Sequence, residues 1–182
     1  IAIPNNTGIP MKKHLLSTAL LLAIPASALN LSLDITIPDI KSSEYHRPYV
    51  AVWVEDSDKK LVEHLSLWYF IKGKDDNPQE GLKYLKELRN WWRKGGRSLK
   101  PLPDAITGAT QKPGKHNIEI KSDDPRLAKL KDGSYTLMIE AVREEGGIEA
   151  VSIPFTLPVK EKTEAKASGK SELGDITLTI TP

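Results

Sequence analysis

The stretch LNLSLDITI, residues 29–37, alternates apolar and polar side chains from its first residue to its last. This period of two is typical of a β-strand that buries one face and exposes the other. The same alternation returns near the other end of the chain, over residues 174–181, where isoleucine and leucine again share one face. We therefore expect the first and last strands of the domain to pair with each other.

Turn residues separate further extended runs between these two ends. The last of these runs contains Pro154, which predicts an edge strand or a bulge there. About seven short strands with frequent turns predict a mainly β fold, an antiparallel β-sandwich of the immunoglobulin-like type with one inserted helix. The five intervening runs are residues 49–55, 61–71, 116–120, 135–141 and 148–157.

Two segments depart from the alternating pattern. A helix is predicted near residues 78–94, because Asn77 is a good N-cap and Pro78 suits the first helical position. Apolar residues at positions 82, 85, 88 and 92 continue it as a stripe at helical spacing. Residues 160–172 are polar and charged, with alanine as their only apolar type, and predict a loop.

The first 28 residues are predicted to contain an export signal. Residues 1–10 precede Met11 and read as translated upstream sequence. Residues 11–28 have the pattern of a secretory signal peptide, with two lysines, a short apolar run, and Ala26-Ser27-Ala28 at the cleavage site. The apolar run is too short to span a membrane. The expected mature protein is thus periplasmic, with residues 29–182 forming one domain.

Charge and cysteine content narrow the classes of function. The chain has 26 basic residues, 24 acidic residues and no cysteine. Lys12 and Lys13 belong to the signal, which has no acidic residue, so the charges of the remaining domain cancel. A nucleic-acid partner is not expected, since it would require a basic excess. Without cysteine, an exported redox protein cannot use iron–sulfur clusters, thiolate metal sites or c-type haem.

A second stretch, DAITGAT at residues 104–110, has the form D-x-x-T-G-A-T. It resembles the acceptor motif on which bacterial flavin transferases place FMN. The resemblance implies a phosphoester between the FMN phosphate and the hydroxyl of Thr110. A threonine hydroxyl is a poor nucleophile that needs an outside base and a metal ion, so Thr110 is predicted to be the substrate of another enzyme. The other cofactor-site residues of the motif are Asp104, Thr107, Gly108 and Ala109.

The motif is expected on an exposed loop, residues 101–114, because Pro103 and Pro113-Gly114 are turn residues on either side of it. Gly108 is expected to supply backbone angles that other residues avoid. Trp92, upstream of the loop, is a candidate for stacking on the flavin ring, and core packing is the alternative. No histidine after residue 28 has metal-ligand spacing to another histidine, so no metal site is assigned.

Four stretches together, residues 48–56, 91–92, 104–114 and 133–141, resemble a family of predicted periplasmic proteins of unknown function. The resemblance spans nearly the whole of the expected mature chain. It implies an occurrence alongside flavin transferases and PepSY-type membrane proteins, in extracytosolic electron-transfer or metal-acquisition settings.

Three functions remain open on the sequence. The first is an electron carrier with covalent FMN on Thr110, served by a flavin transferase and a PepSY-type membrane redox protein. The second is a non-redox binding module without a cofactor, in which the motif is only a turn. The third is a free-standing flavin enzyme with its own small substrate, which is ranked last because the sequence defines no catalytic constellation.

Signal cleavage should follow Ala28 and leave Leu29 as the first residue of the exported protein, because Ala26-Ser27-Ala28 fits the small-residue processing rule. N-terminal sequencing and the intact mass of periplasmic protein measure this directly. An exported protein that retains Met11 would contradict it.

Overall fold

The computed structural model of the chain describes residues 28–71 and 79–182. Over this part of the chain, nine strands alternate with short helical turns. The strands are β1 Asn30–Ile37, β2 Tyr49–Asp56, β3 Leu61–Tyr69, β4 Thr107–Ala109, β5 Gly114–Ile120, β6 Gly133–Val142, β7 Ile148–Leu157, β8 Thr163–Ser168 and β9 Asp175–Thr181. The helices are α1 Gln79–Leu82 and α2 Arg89–Lys94, with 3-10 turns at Leu85–Glu87, Gly96–Ser98 and Pro125–Leu127.

The strands form two sheets packed face to face. The first sheet has the order β5-β1-β9-β8, and the second has the order β4-β3-β2-β6-β7. β1 and β9 pair antiparallel, with Leu33 opposite Leu178, as the matching alternations predicted. The prediction of a mainly β, immunoglobulin-like sandwich is confirmed. One pair of neighbours, β3 with β4, runs parallel.

The alternating apolar residues of β1 form part of the core between the two sheets. In β1 every second residue is buried, from Leu31 to Ile37. These side chains belong to one cluster with Val50, Val52 and Val54 of the second sheet. Burying side chains of this size contributes about 1.5–3 kcal/mol each before the entropy cost of folding, so this cluster is the main source of stability.

The second sheet is also covered on its outer face. Ala51, Trp53 and Leu67 point away from the main core and pack against Leu85, Leu88 and Trp91 of the helical segment. This explains why six consecutive residues of β2 are buried, since one strand carries apolar residues for two layers.

The helical segment is divided where one helix near residues 78–94 was expected. Leu88 has a ψ of 74°, outside the helical region, and α2 starts anew after it. The cause lies on β6, where the buried Glu140 carboxylate accepts the backbone N–H groups of Asn90 and Trp91 at 3.0 and 2.8 Å. A carboxylate from the sheet thus acts as the N-cap of α2. Asn77 and Pro78 lie outside the described residues.

The strand count exceeds the expected seven because two strands fall in predicted loops. β4 lies within residues 101–114, and β8 lies within the polar segment 160–172. In β8, Ala165 and Ala167 pack against the core while the charged residues between and around them face solvent. An edge strand that pairs on one side can carry this composition, and small alanine side chains give only a weak alternation signal.

Carboxylates hold two turns together at one end of the sandwich. Arg143 donates to Glu172 at 2.8 Å, and both side chains are buried. The carboxylate of Glu149 accepts backbone N–H groups across the β8–β9 turn, at distances of 2.5 to 3.1 Å. These donors are Lys170, Ser171 and Leu173.

Glu149→Gln should lower the free energy of unfolding at pH 7 by about 1–2 kcal/mol, because an amide has one acceptor oxygen where the carboxylate has two. Burial alone would raise the pKa of Glu149, but the backbone N–H groups outweigh it and hold the pKa below 4.5. A carboxylate with a depressed folded pKa stabilises the protein above its unfolded pKa, and this stabilisation is lost as pH falls through the folded pKa.

Urea unfolding at several pH values measures this difference. The gap between wild type and Glu149→Gln should be full at neutral pH and should shrink below the unfolded pKa. Lys60→Ala, which removes a surface partner of Asp58, serves as the control and should change stability by less than about 0.5 kcal/mol. A gap for Glu149→Gln that does not depend on pH would contradict the assignment.

Candidate functional site

The motif at residues 104–110 lies at the edge of the second sheet. A turn precedes the strand, in which the N–H of Thr107 donates to the carbonyl of Asp104 at 3.2 Å. β4 then runs parallel to β3, with Thr107 opposite Leu67 and Ala109 opposite Tyr69. β5 of the first sheet begins at Gly114, so the residues just after the motif carry the chain from one sheet to the other.

Few contacts hold β4 in place. The N–H of Leu67 donates to the carbonyl of Ile106 at 2.7 Å, and the N–H of Thr110 donates to the carbonyl of Tyr69 at 3.2 Å. The Ile106 side chain is buried, whereas Ala109 is exposed. The segment is therefore held by its three-residue parallel pairing with β3, by these two flanking hydrogen bonds and by one apolar side chain.

Thr110 is the residue for which the structure differs most from expectation. It was placed on an exposed loop, yet only 9% of its surface is accessible. The reason is strand alternation, since Thr110 follows the exposed Ala109 and falls on the same side as Gly108. That side faces Trp68, a member of the inter-sheet core. Thr110 is thus on the face of the second sheet that is directed toward the core.

Gly108 does not have the unusual backbone angles that were expected of it. It lies in β4 in an extended conformation, which any residue adopts. A methyl group added at its α-carbon would meet Cδ1 of Trp68 at 3.4 Å, an ordinary contact distance. The docked conformation of the motif therefore does not require glycine at this position.

The aromatic groups nearest the motif are different from the one proposed on sequence. Trp92 belongs to α2 and packs, half-buried, in the outer cluster, with its ring 6.3 Å from that of Trp91. Trp68 pairs directly with Gly108, and His116 meets the Trp68 ring edge to face at 5.9 Å. Trp68 is itself a buried member of the core between the sheets.

The charges beside the motif are basic. Lys112 and Lys115 follow it in sequence, and the Lys112 carbonyl lies 2.7 Å from Nε2 of His116. Hydrogen bonds from Lys115 and Asn117 hold the pKa of Asp34 below its usual value. Cationic side chains around an exposed edge favour a phosphate group over a neutral ligand.

Two buried titratable residues have structural explanations. Nε1 of Trp91 donates to Nδ1 of His64 at 3.0 Å, and burial lowers the pKa of His64, so this imidazole is a neutral acceptor. Burial raises the pKa of Glu140, which caps α2. Both groups support the helical layer on the outer face of the sheet.

A histidine–carboxylate cluster was missed on sequence. Ligand atoms of Glu44, His46 and Glu145 all lie within 4.8 Å of one another. They come from the β1–β2 and β6–β7 connections, so no local spacing could reveal them. Their contacts are also ordinary surface ion pairs, with Glu44 and Glu144 at 3.4 and 3.6 Å from the His46 ring.

Comparisons with known proteins give one match. The model of a family described as "Predicted periplasmic protein (DUF2271)" matches residues 30–175, from the first residue of β1 to the first residue of β9. No curated protein and no solved structure matches the chain. Among the described residues, no helix is long and apolar enough to cross a membrane.

Gly108→Ala should change the free energy of unfolding by less than about 1 kcal/mol, because the new methyl group finds ordinary contacts in an extended strand. Gly169→Ala is the contrasting control, since its methyl group would lie 2.3 Å from the carbonyl oxygen of Leu173. That substitution should cost more than about 2 kcal/mol. Urea unfolding of both variants tests the difference, and equal losses would show that the docked strand does need glycine at position 108.

Proposed function

Because the chain belongs to this family of predicted periplasmic proteins, we propose that it is an extracytosolic flavoprotein that carries FMN covalently on Thr110. In this proposal it transfers electrons between a PepSY-type membrane redox protein and an acceptor outside the cytoplasm. The observation that carries the proposal is the complete D-x-x-T-G-A-T sequence at residues 104–110.

The transfer reaction requires an activated phosphate. A flavin dinucleotide supplies it, since its pyrophosphate has a good leaving group. A bond forms between Oγ of Thr110 and the flavin-side phosphorus, the pyrophosphate bond breaks, and AMP leaves. The hydroxyl proton passes to a base of the flavin transferase, and a divalent metal ion stabilises the charge on the phosphates. No electrons are transferred in this step.

The residues around the motif suit such a group. Lys112 follows Thr110 by two residues and supplies a positive charge beside the motif, whereas Lys115 is paired with Asp34 at 2.8 Å. Trp68 and His116 form an aromatic pair beside Gly108, but Trp68 is buried in the docked structure, so a flat ring can stack on it only when β4 leaves the edge. Trp92 lies in the helical layer and is a weaker candidate for this role. Bound FMN would supply one- and two-electron chemistry, while the protein supplies the tether and the surroundings.

A second function has one observation in its favour. Thr110 is nearly covered in the docked strand, as a purely structural residue would be. On this view the chain is a periplasmic binding module without a cofactor, and the motif is an edge strand. Covalent loading distinguishes the two functions, because a binding module should remain colourless in the presence of a flavin transferase.

Thr110→Ala should abolish covalent FMN, because the acceptor oxygen is gone, whereas Thr110→Ser should retain it. Thr107→Ala should still be loaded at least in part, since its hydroxyl is not the acceptor. Asp104→Ala should slow loading, because that carboxylate is expected to position the segment or the metal ion. Purified protein, transferase, flavin dinucleotide and Mg²⁺ are incubated, and the product is followed by fluorescence in denaturing gels and by peptide mass mapping.

Protein made without the transferase is the control and should be colourless. A flavin adduct that survives in Thr110→Ala would move the acceptor to another residue. A wild-type protein that gains no adduct would leave the binding module as the better function.

A further inference from the structure

We propose that Thr110 is modified only after β4 leaves the edge of the second sheet, so that the flavin transferase binds residues 104–110 as an extended segment detached from β3. This inference rests on the proposed function. It specifies the conformation in which the flavin transferase recognises residues 104–110. The docked conformation described above is, in this proposal, the closed form of the acceptor.

The first argument is access to the acceptor. Group transfer requires the reacting atoms to approach within about 3–3.5 Å in a defined direction. The attacking oxygen belongs to Thr110, a residue of which only 9% of the surface is accessible in the docked strand. A flavin dinucleotide inside an enzyme pocket therefore has little access to this residue while β4 is docked.

The second argument is that the edge is weakly held. β4 has three residues and one neighbouring strand in the part of the chain that the structure describes. Its docking depends on the parallel pairing of its three residues with β3, on the flanking hydrogen bonds at Leu67 and Tyr69, and on the buried side chain of Ile106. Segments with few buried apolar contacts open at much lower free energy than the global fold.

The third argument concerns the length of the segment. Leu102 packs against the outer cluster and Gly114 pairs with Ile37 of β1, so both flanks are anchored. Residues 103–113 lie between these anchors. At about 3.3 Å per residue, these eleven residues span up to about 36 Å when fully extended, which is the length available for moving away from β3.

The fourth argument is Gly108. The docked strand leaves room for a methyl group at this position, so the glycine is not explained by the closed form. Close approach of a partner to the backbone, or a turn with positive φ, does explain it. Both apply to a detached segment bound in an enzyme cleft.

An engineered disulfide tests the inference, and the absence of cysteine from the chain makes the background clean. Tyr69 and Ala109 are register partners, and neighbouring strands at about 4.8 Å are within disulfide range. The variant Tyr69→Cys/Ala109→Cys is incubated with transferase, flavin dinucleotide and Mg²⁺, either oxidised or reduced. The oxidised form should load at least about tenfold more slowly than the reduced form, because the crosslink removes the opening step.

Ser134→Cys/Thr156→Cys is the matched control. These side chains face each other across β6 and β7, with their oxygens 3.5 Å apart, far in sequence from the motif. Its oxidised and reduced forms should load at the same rate as wild type. This comparison separates the effect of locking β4 from any effect of a disulfide as such.

Ile106→Ala supplies an independent measurement in the opposite direction. Removing the buried anchor should raise both the hydrogen-exchange rate of the Thr110 amide and the rate of loading, each severalfold. Loading that is unchanged in this variant while the exchange rate rises would overturn the inference. This readout decides the matter if the reduced Tyr69→Cys/Ala109→Cys protein is itself a poor substrate.

The outcomes distinguish the two proposals. Equal loading of oxidised and reduced Tyr69→Cys/Ala109→Cys, with an adduct on Thr110, overturns the release of β4 and leaves the proposed function standing. Failure of wild-type protein to gain any adduct removes the proposed function and this inference with it.

Discussion

The path of the chain toward the motif depends on the buried carboxylate of Glu140. It accepts the N–H groups of Asn90 and Trp91 and so fixes α2 on the outer face of the second sheet. Trp91 is then held against His64 by an indole hydrogen bond. Burying a carboxylate costs free energy of folding unless hydrogen-bond donors surround it. The two N–H groups must therefore lie close to the Glu140 oxygens. With the helical layer fixed, residues 99–106 are delivered to the free edge of β3.

This arrangement separates a rigid framework from a labile edge. Strands β1, β2, β3, β6 and β9 have neighbours on both sides and supply most of the buried core. β4 is an appendage on that framework, with three residues and one strand partner. Opening the edge uncovers Ile106 and part of Trp68 but leaves the pairing of the other strands in place, so the sandwich can remain folded while the motif changes its surroundings.

The sequence predicted the elements whose signals are local. The alternation of residues 29–37 and 174–181 identified β1, β9 and their pairing, because burial on one face leaves a period of two. The break at Leu88 was not predictable, since its cause is a carboxylate fifty residues away on β6. β8 was missed because its inward residues are alanines.

The burial of Thr110 could not be predicted for a related reason. It depends on the parallel pairing of β4 with β3, a contact that no turn or alternation signal specifies. The cluster of Glu44, His46 and Glu145 was missed in the same way, because two loops far apart in sequence meet at one end of the sandwich. The sequence therefore identified the motif, and the structure shows how that segment is held.

A charged phosphoester on Thr110 would change the relative stability of the docked and detached forms of this segment. In the docked strand Thr110 is buried, two residues after Gly108, which pairs with Trp68. Burying a phosphate there carries a desolvation penalty that one apolar anchor and a few backbone hydrogen bonds do not offset. Under the proposed sequence of events, the loaded segment stays outside and uncovers one face of Trp68. The modified and unmodified proteins then differ in the shape of the same sheet edge, which gives a redox partner a physical basis for binding only the loaded carrier.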